Sequence, residues 1–113
     1  MKVRVPKEST FPTWFDHLPT EHRGPVAAML TDAPTEPTAA LTPLVQARHH
    51  RLWRMKHSHV DEYAYRLIVW FPPDEPDAVY VVFGGNKARL HDVFYDRATN
   101  ESEFTVDQIL RTR

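Results

Sequence analysis

The sequence predicts an α+β domain, in which a small antiparallel β-meander carries two N-terminal helices and a C-terminal helix. The chain has ten prolines, but none falls in residues 44–71 or 77–113, so regular structure is most secure there. Aromatic and β-branched residues dominate 63–71 and 78–83, as is typical of strands. Apolar residues at helical spacing precede the first of these segments.

The N-terminal part predicts one short strand and two helices. Residues Lys2–Val5 alternate like a strand. Residues 9–18 form a helix with one apolar stripe, and Pro12 is tolerated in its first turn. Ser9 or Thr10 caps it. A second helix begins at Thr20 and continues through Leu30, although Gly24-Pro25 leaves open a kink or a start at Pro25.

Three consecutive strands form the predicted meander, after a proline-rich loop at residues 31–43. The first strand is 51–57, and the turn 58–62 connects it to the second, 63–71. Residues 72–77 form an acidic, proline-rich turn. The third strand is 78–83, and Gly84-Gly85 ends it.

Two further helices follow the meander. The first is predicted at 87–98. Residues 99–113 form a C-terminal extension, in which Thr105 and Gln108 fit the capping box of a last helix from Val106 to about Thr112. All helices are expected on one face of the sheet.

Composition restricts the class of protein. With 113 residues, 42% of them apolar, the chain is expected to be a single domain spanning 1–113. The formal net charge is −1, which predicts neither a nucleic-acid nor a membrane partner. Because it has no cysteine and no apolar run of membrane-spanning length, we expect a soluble cytoplasmic protein.

Positive charge is concentrated beside the strongest strand pattern. In the predicted strands, Trp53 and Met55 point one way, and Arg54 and Lys56 point the other way. If the two strands pair through the turn, Arg66 joins the second face, although a one-residue slip would reverse it. Lys87 and Arg89 follow the third strand, and Tyr95 approaches from the helix.

Converging cations suit a phosphodiester, because they stabilise the negative charge of a pentacoordinate phosphorus. RNA supplies its own nucleophile, the 2′-hydroxyl, so the protein needs only to position the chain and to move protons. His57 and His59 lie on an accessible turn and could move a proton. We predict no metal and no cofactor, since two histidines without a third ligand are weak evidence for zinc.

Less specific interpretations of these basic and aromatic residues are also open. An arginine in a strand beside acids is more often part of a structural ion pair, here with Asp61, Glu62 or Asp92. A basic strand face is often merely solvated. The tryptophans are more often core residues than surfaces for stacking bases.

Several short motifs, in this order, resemble one known family. They are F-P-T-W-F-D-H-L-P, T-E-H-R-G-P-V-A-A-M-L, R-L-W-R-M-K, Y-R-L-I-V-W-F and V-Y-V-V-F-G-G-N-K-A. Together they resemble the RelE/HigB/ParE superfamily of type II toxin–antitoxin toxins, and most closely its HigB-like, phage-associated branch. The resemblance covers roughly residues 9–98.

The resemblance implies a RelE-like, microbial RNase-like fold and a toxin that cleaves mRNA on the ribosome without a metal ion. The implied catalytic residues are Arg66, Lys87, Tyr95, Lys56, Arg54 and His57. The implied RNA-binding residues are Arg51, Arg54, Lys56, His59 and Arg89. Arg66 and Lys87 would stabilise the transition state, and Tyr95 would orient or stack on the substrate. Arg54 and Lys56 would hold phosphates or share the acid–base work.

The implied partners are mRNA, the ribosome and a cognate antitoxin, expected to be a helix-turn-helix protein. The oligomeric state does not follow from the sequence. The alternative is a non-catalytic protein on the same fold: a ParE-like gyrase inhibitor, or a phage-borne protein that binds a host factor. Fold alone does not separate these activities.

Overall fold

A mixed sheet separates two layers of helices in the computed structural model of the chain, which describes residues 2–31, 41–55, 58–87 and 91–112. Within these residues the sheet has six strands. The strands are β1 Lys2–Arg4, β2 Leu41–Pro43, β3 Leu52–Met55, β4 Ser58–Val60, β5 Tyr63–Trp70 and β6 Ala78–Asn86. The helices are α1 Phe11–Asp16, α2 Thr20–Thr31 and α3 His91–Arg111. The α+β class predicted from the sequence is therefore confirmed.

The sheet is larger than the predicted meander and is not purely antiparallel. Its order is β1-β6-β5-β3-β2, and β4 also pairs with β5. Strand β1 pairs in parallel with β6, while the other pairs are antiparallel. Residues 41–43, predicted as part of a loop, form β2 instead. Strand β2 has only three residues, which is too short for a clear alternation pattern, whereas β1 lies within the predicted strand Lys2–Val5.

The predicted strand 51–57 ends at Met55, and a separate strand, β4, pairs with the other end of β5. A two-residue turn, Asp61-Glu62, joins β4 to β5. Asp61 has a φ of 53°, a left-handed conformation that aspartate tolerates better than most residues. The predicted turn 58–62 is therefore a short strand followed by a tight turn. Lys56 and His57 lie outside the described residues.

Strand β5 carries the core on both of its faces, as its alternation predicts. Tyr65, Leu67 and Val69 pack with the residues of α1 and α2. Ile68 and Trp70 pack in a second cluster with α3. The expectation that all helices lie on one face is wrong, because α3 covers the face opposite to α1 and α2. With both faces covered, the strand is almost wholly buried.

The two N-terminal helices lie where they were predicted. In α1, Pro12 occupies the first turn, and the Ser9 hydroxyl accepts a hydrogen bond from the Phe11 backbone N–H at 3.1 Å. Helix α2 begins at Thr20 and includes Pro25. Gly24 makes it easier for the helix to include Pro25, because it presents no Cβ to the following proline ring.

Gly84-Gly85 does not end β6, contrary to the prediction. The strand passes through both residues and continues to Asn86. A Cβ on Gly84 would lie 2.6 Å from the Trp14 ring, and a Cβ on Gly85 would lie 2.8 Å from the Phe94 ring. The two glycines therefore allow α1 and α3 to approach opposite faces of one strand.

The C-terminal part is one continuous helix of 21 residues. The predicted break near residue 99 is wrong, because Thr105 is a buried residue within the helix rather than its cap. Ser102, Thr105 and Val106 face the sheet side of α3 and are almost fully buried. No helix within the described residues is both long enough and apolar enough to cross a membrane.

Candidate functional site

Three cationic side chains converge on the aromatic ring of Tyr95. The guanidinium carbons of Arg54 and Arg66 lie 5.0 Å and 5.8 Å from the centre of the ring. The ammonium nitrogen of Lys87 lies 5.7 Å from the same point. All three distances fall within the range of a cation–π interaction. We call Arg54, Arg66, Lys87 and Tyr95 the cationic cluster.

Strand register explains why the two arginines meet. Arg54 in β3 pairs with Ile68 in β5. Arg66 lies two residues from Ile68 and therefore points to the same face of the sheet. This face is the one that α3 covers, and Tyr95 lies on α3.

The third cation, Lys87, comes directly after the end of β6. Gly85 pairs with Arg66, and Lys87 follows two residues later, just after the strand ends at Asn86. The side-chain oxygen of Asn86 accepts a hydrogen bond from the Ala64 N–H at 3.1 Å, which fixes the end of β6 against β5. The pairing of β6 with β5 thus holds Lys87 close to the arginines.

Arg66 is the most buried member of the cluster, with only 6% of its surface exposed. One of its terminal nitrogens donates a hydrogen bond to the Met55 carbonyl oxygen at 3.1 Å. Burial lowers the pKa of Arg66, Tyr95 opposes this effect, and the positive charge of Arg54 lowers the pKa further. The guanidinium remains charged.

Nε of Arg54 and the hydroxyl oxygen of Tyr95 are among the buried side-chain atoms that have no hydrogen-bond partner in the described residues. Buried polar atoms are usually paired, so such an atom needs an explanation. Both atoms belong to residues that contact each other.

One of the acids considered as an ion-pair partner of Arg66 has a different contact. Nε2 of His22 donates to the Asp61 carboxylate at 3.0 Å. On the other side of the imidazole, Nδ1 lies 2.7 Å from the Tyr65 hydroxyl oxygen. His22 is buried while Asp61 is largely exposed. The side chain of Asp92 lies outside the described part of the chain.

Two of the remaining predicted residues, His59 and Arg51, are described by the structure and are not part of the cationic cluster. His59 pairs with Ala64, and so it lies on the face of Arg66; its side chain is exposed. Arg51 is exposed just before β3, but it is not among the cations that contact Tyr95. The predicted positions Lys56, His57 and Arg89 lie outside the described residues.

Two features of this region were missed by sequence reasoning. The first is Gly85, which lies opposite Arg66 and makes room for the Phe94 ring. A glycine pair in the sequence instead predicts the end of a strand. The second is the contact of His22 with Tyr65 and Asp61, residues far apart in the chain. Neither feature leaves a local pattern in the sequence.

The described residues contain no group of three metal-binding side chains. No protein-family model, curated protein or solved structure matches the chain at a significant level. The chemistry of the cationic cluster and the short motifs in the sequence are therefore the features that bear on its function.

Proposed function

We propose that the cationic cluster binds the phosphodiester backbone of RNA and that the chain is an mRNA endoribonuclease, the toxin of a type II toxin–antitoxin system. One observation carries this proposal: Arg54, Arg66 and Lys87, drawn from three different strand regions, converge on the Tyr95 ring. The RelE-like scaffold is part of the same proposal. Its support is the order of the sequence motifs together with the α+β architecture.

The proposed reaction is attack by the RNA 2′-hydroxyl on the adjacent phosphorus. The 2′-oxygen–phosphorus bond forms, the phosphorus–5′-oxygen bond breaks, and the products are a 2′,3′-cyclic phosphate and a 5′-hydroxyl. Arg66 and Lys87 stabilise the negative charge that develops on the phosphate oxygens. Arg54 holds the phosphate through its guanidinium group.

Proton transfer requires an acid and a base beside the cluster. His59 is a candidate, because it is exposed and lies on the same face as Arg66. Lys56 and His57 are the other candidates from the sequence. Tyr95 orients the substrate, since its ring lies against all three cations.

The positive charges of the cluster favour the binding of an anionic ligand. Burial and Arg54 both act to lower the pKa of Arg66, so the cluster contains like charges at close range in a partly buried place. An RNA phosphate would offset that repulsion and would accept the hydrogen bonds that arginine donates. The near-neutral net charge of the chain, −1, means that this attraction is local.

The proposal also defines partners and a compartment. The substrate is mRNA on the ribosome, so the protein acts in the cytoplasm. A cognate antitoxin, expected to be a helix-turn-helix protein, would hold it inactive. These expectations come from the family resemblance.

The proposal is tested by inducing the chain in a bacterial host and mapping mRNA 5′ ends on ribosomes. We expect growth arrest and new 5′ ends with the wild type. Both should be lost in an Arg54→Gln/Lys87→Gln variant that still folds. Arg111→Gln is the matched control, since it removes an exposed arginine at the far end of α3.

Two results would contradict the proposal. The first is growth without arrest and without new 5′ ends in cells that contain folded wild-type protein. The second is arrest that persists unchanged in the double variant. Arrest without RNA cleavage, accompanied by loss of gyrase supercoiling activity, would instead support the ParE-like alternative.

A further inference from the structure

A groove of about 670 Å³ lies beside the C-terminal end of β6. Gly84 and Gly85 line it together with Trp14 of α1 and Phe94 of α3, which approach the two glycines from opposite faces of the sheet. Trp14 is only half-buried, so part of its indole faces the groove. The volume lies within the range of sites that hold small organic groups.

Neighbouring rings fix the Trp14 indole in this position. The rings of Phe11 and Tyr65 each lie 5.6 Å from it, measured between ring centres. A Cβ on Gly84 would lie 2.6 Å from the same ring, so glycine allows the indole to lie directly on the strand. A ring that is already fixed loses little conformational freedom when a ligand packs against it. Trp14 is therefore a suitable stacking surface.

The groove adjoins the cationic cluster. Phe94 lines the groove, and its ring centre lies 5.2 Å from that of Tyr95, with the ring planes at 88°. Asn86 also lines the groove, and Lys87 follows it directly in the chain. The two sites therefore share a boundary that Phe94 and Asn86 form.

The groove and the cluster differ in charge. Of the described residues that line the groove, only Arg97 and Glu101 are charged, and they form an ion pair with each other at 3.1 Å. Their formal charges cancel. Thr10 and Thr13 are exposed and add hydroxyl groups at the rim. An anionic group is thus favoured at the cluster, and an uncharged group with some polar atoms is favoured in the groove.

We propose that the groove binds a nucleobase of the RNA strand whose phosphate lies at the cationic cluster. This inference rests on the proposed function and adds a base-binding site to it. A nucleobase is flat and uncharged and has polar atoms on its edges, so it can stack on an aromatic ring and reach hydroxyl and amide groups. The phosphate attached to it supplies the charge that the cations attract.

Other occupants would match fewer of these features. An aliphatic ligand would fill the groove but would use neither the hydroxyl groups of the rim nor the neighbouring cations. A small anion would meet no net positive charge inside the groove. A nucleotide within a strand needs a flat, uncharged site directly beside a cationic one, and this is the combination that the groove and the cluster provide.

The test compares two oligomers that carry the same phosphates. The first is a 2′-O-methyl RNA hexanucleotide of randomised sequence, which cannot be cleaved because its nucleophile is blocked. The second is an abasic hexamer with the same backbone. The abasic hexamer should bind at least about fivefold more weakly, because the stacked base is missing. NMR of the isotope-labelled chain should show saturable shifts at the Trp14 indole N–H and at the Gly84 and Gly85 amides with the first oligomer only.

Two variants locate the base. Trp14→Leu removes the stacking surface and should abolish the difference between the two oligomers, while unchanged binding of the abasic hexamer shows that the variant is folded. Thr13→Leu narrows the groove at an exposed position and should also weaken binding of the base-containing oligomer. Ala28→Leu, at an exposed position on α2, is the matched control and should leave binding unchanged.

Lys87→Gln separates this inference from the proposed function. It should weaken binding of both oligomers, because both carry phosphates. A base effect without an effect of Lys87→Gln would support the base site and contradict the role of the cluster. The base site is overturned if the two oligomers bind the wild type equally, if the base-containing oligomer does not bind at millimolar concentration, or if its shifts do not include Trp14, Gly84 and Gly85.

Discussion

The Arg54 guanidinium carbon lies 5.0 Å from the centre of the Tyr95 ring, and Nε of Arg54 and the Tyr95 hydroxyl are both buried without hydrogen-bond partners among the described residues. The contact is therefore one of charge with an aromatic face rather than a hydrogen bond. The contributions of the Tyr95 ring and of the Tyr95 hydroxyl to stability can therefore be measured separately.

That separation predicts different effects for two substitutions of Tyr95. Tyr95→Phe keeps the ring and removes a hydroxyl without a described partner, so the free energy of unfolding should change by less than about 0.5 kcal/mol. Tyr95→Leu removes the aromatic face from three cations and should cost about 1 to 2 kcal/mol. Urea unfolding measures both values. Equal losses in the two variants would show that the ring face does not stabilise the cations.

Lys87→Gln should weaken RNA binding in a salt-dependent manner. If Lys87 contacts one phosphate, the slope of log K against log salt for single-stranded RNA should decrease by about 0.7. Fluorescence anisotropy with a labelled RNA oligonucleotide at several salt concentrations gives the slope. The control, Arg111→Gln, changes formal charge equally at an exposed position. An equal decrease in both variants would indicate general charge attraction rather than a contact at the cluster.

Gly84→Ala should destabilise the fold because of Trp14. The added Cβ would lie 2.6 Å from the Trp14 ring, and overpacking of this kind costs about 1 to 3 kcal/mol. A double-mutant cycle with Trp14→Leu separates this clash from other effects. We expect the glycine substitution to cost less when Trp14 has been replaced. Additive effects of the two substitutions would contradict the close contact.

The buried Tyr65 hydroxyl predicts a loss of stability at alkaline pH. Burial raises the pKa of Tyr65 above its ordinary value of 10.0, and Tyr63 and Asp61 raise it further. Because the unfolded chain loses this proton at lower pH than the folded chain, the stabilisation is complete below the unfolded pKa. It is lost as pH rises from there through the folded pKa.

Urea unfolding at a series of pH values from about 8 to about 11 tests this linkage. The free energy of unfolding should fall more steeply in the wild type than in Tyr65→Phe, which lacks the titrating group. The variant should also be less stable at neutral pH, by about 1 to 3 kcal/mol, since His22 Nδ1 loses its partner at 2.7 Å. Parallel pH profiles would rule out this assignment of the alkaline loss.

Much of the arrangement around β5 could be predicted from its alternation. Residues of one parity form the core with α1 and α2, and those of the other parity place Arg66 on the face of Arg54. The sequence also predicted a cluster of Arg54, Lys56 and Arg66 that Lys87, Arg89 and Tyr95 could join. Among the described residues, Arg54, Arg66, Lys87 and Tyr95 do converge. The expectation that all helices lie on one face failed, because α3 packs on the opposite face, where Ile68 and Trp70 are buried as completely as the residues that face α1 and α2.

Other features of the fold depend on contacts between distant segments, which local sequence patterns do not reveal. Gly84-Gly85 continues β6 because rings from α1 and α3 close on it from both sides, whereas glycine pairs by themselves usually indicate a turn. The capping box at Thr105 is overridden by burial of that side chain within α3. Strand β1 pairs in parallel with residues 78–80, which are distant from it in the sequence. Tertiary packing decided each of these cases.

The most direct test of the central claim is cleavage of a labelled mRNA on purified ribosomes, beside the same mRNA with 2′-deoxy substitution at the cleaved nucleotide. The account predicts cleavage of the unmodified RNA in the presence of chelator, with a 2′,3′-cyclic phosphate at the new end. It predicts no cleavage of the substituted RNA and a rate reduced at least about 100-fold by Lys87→Gln. Intact RNA after incubation with the folded wild type, or equal cleavage of the two RNAs, would contradict it.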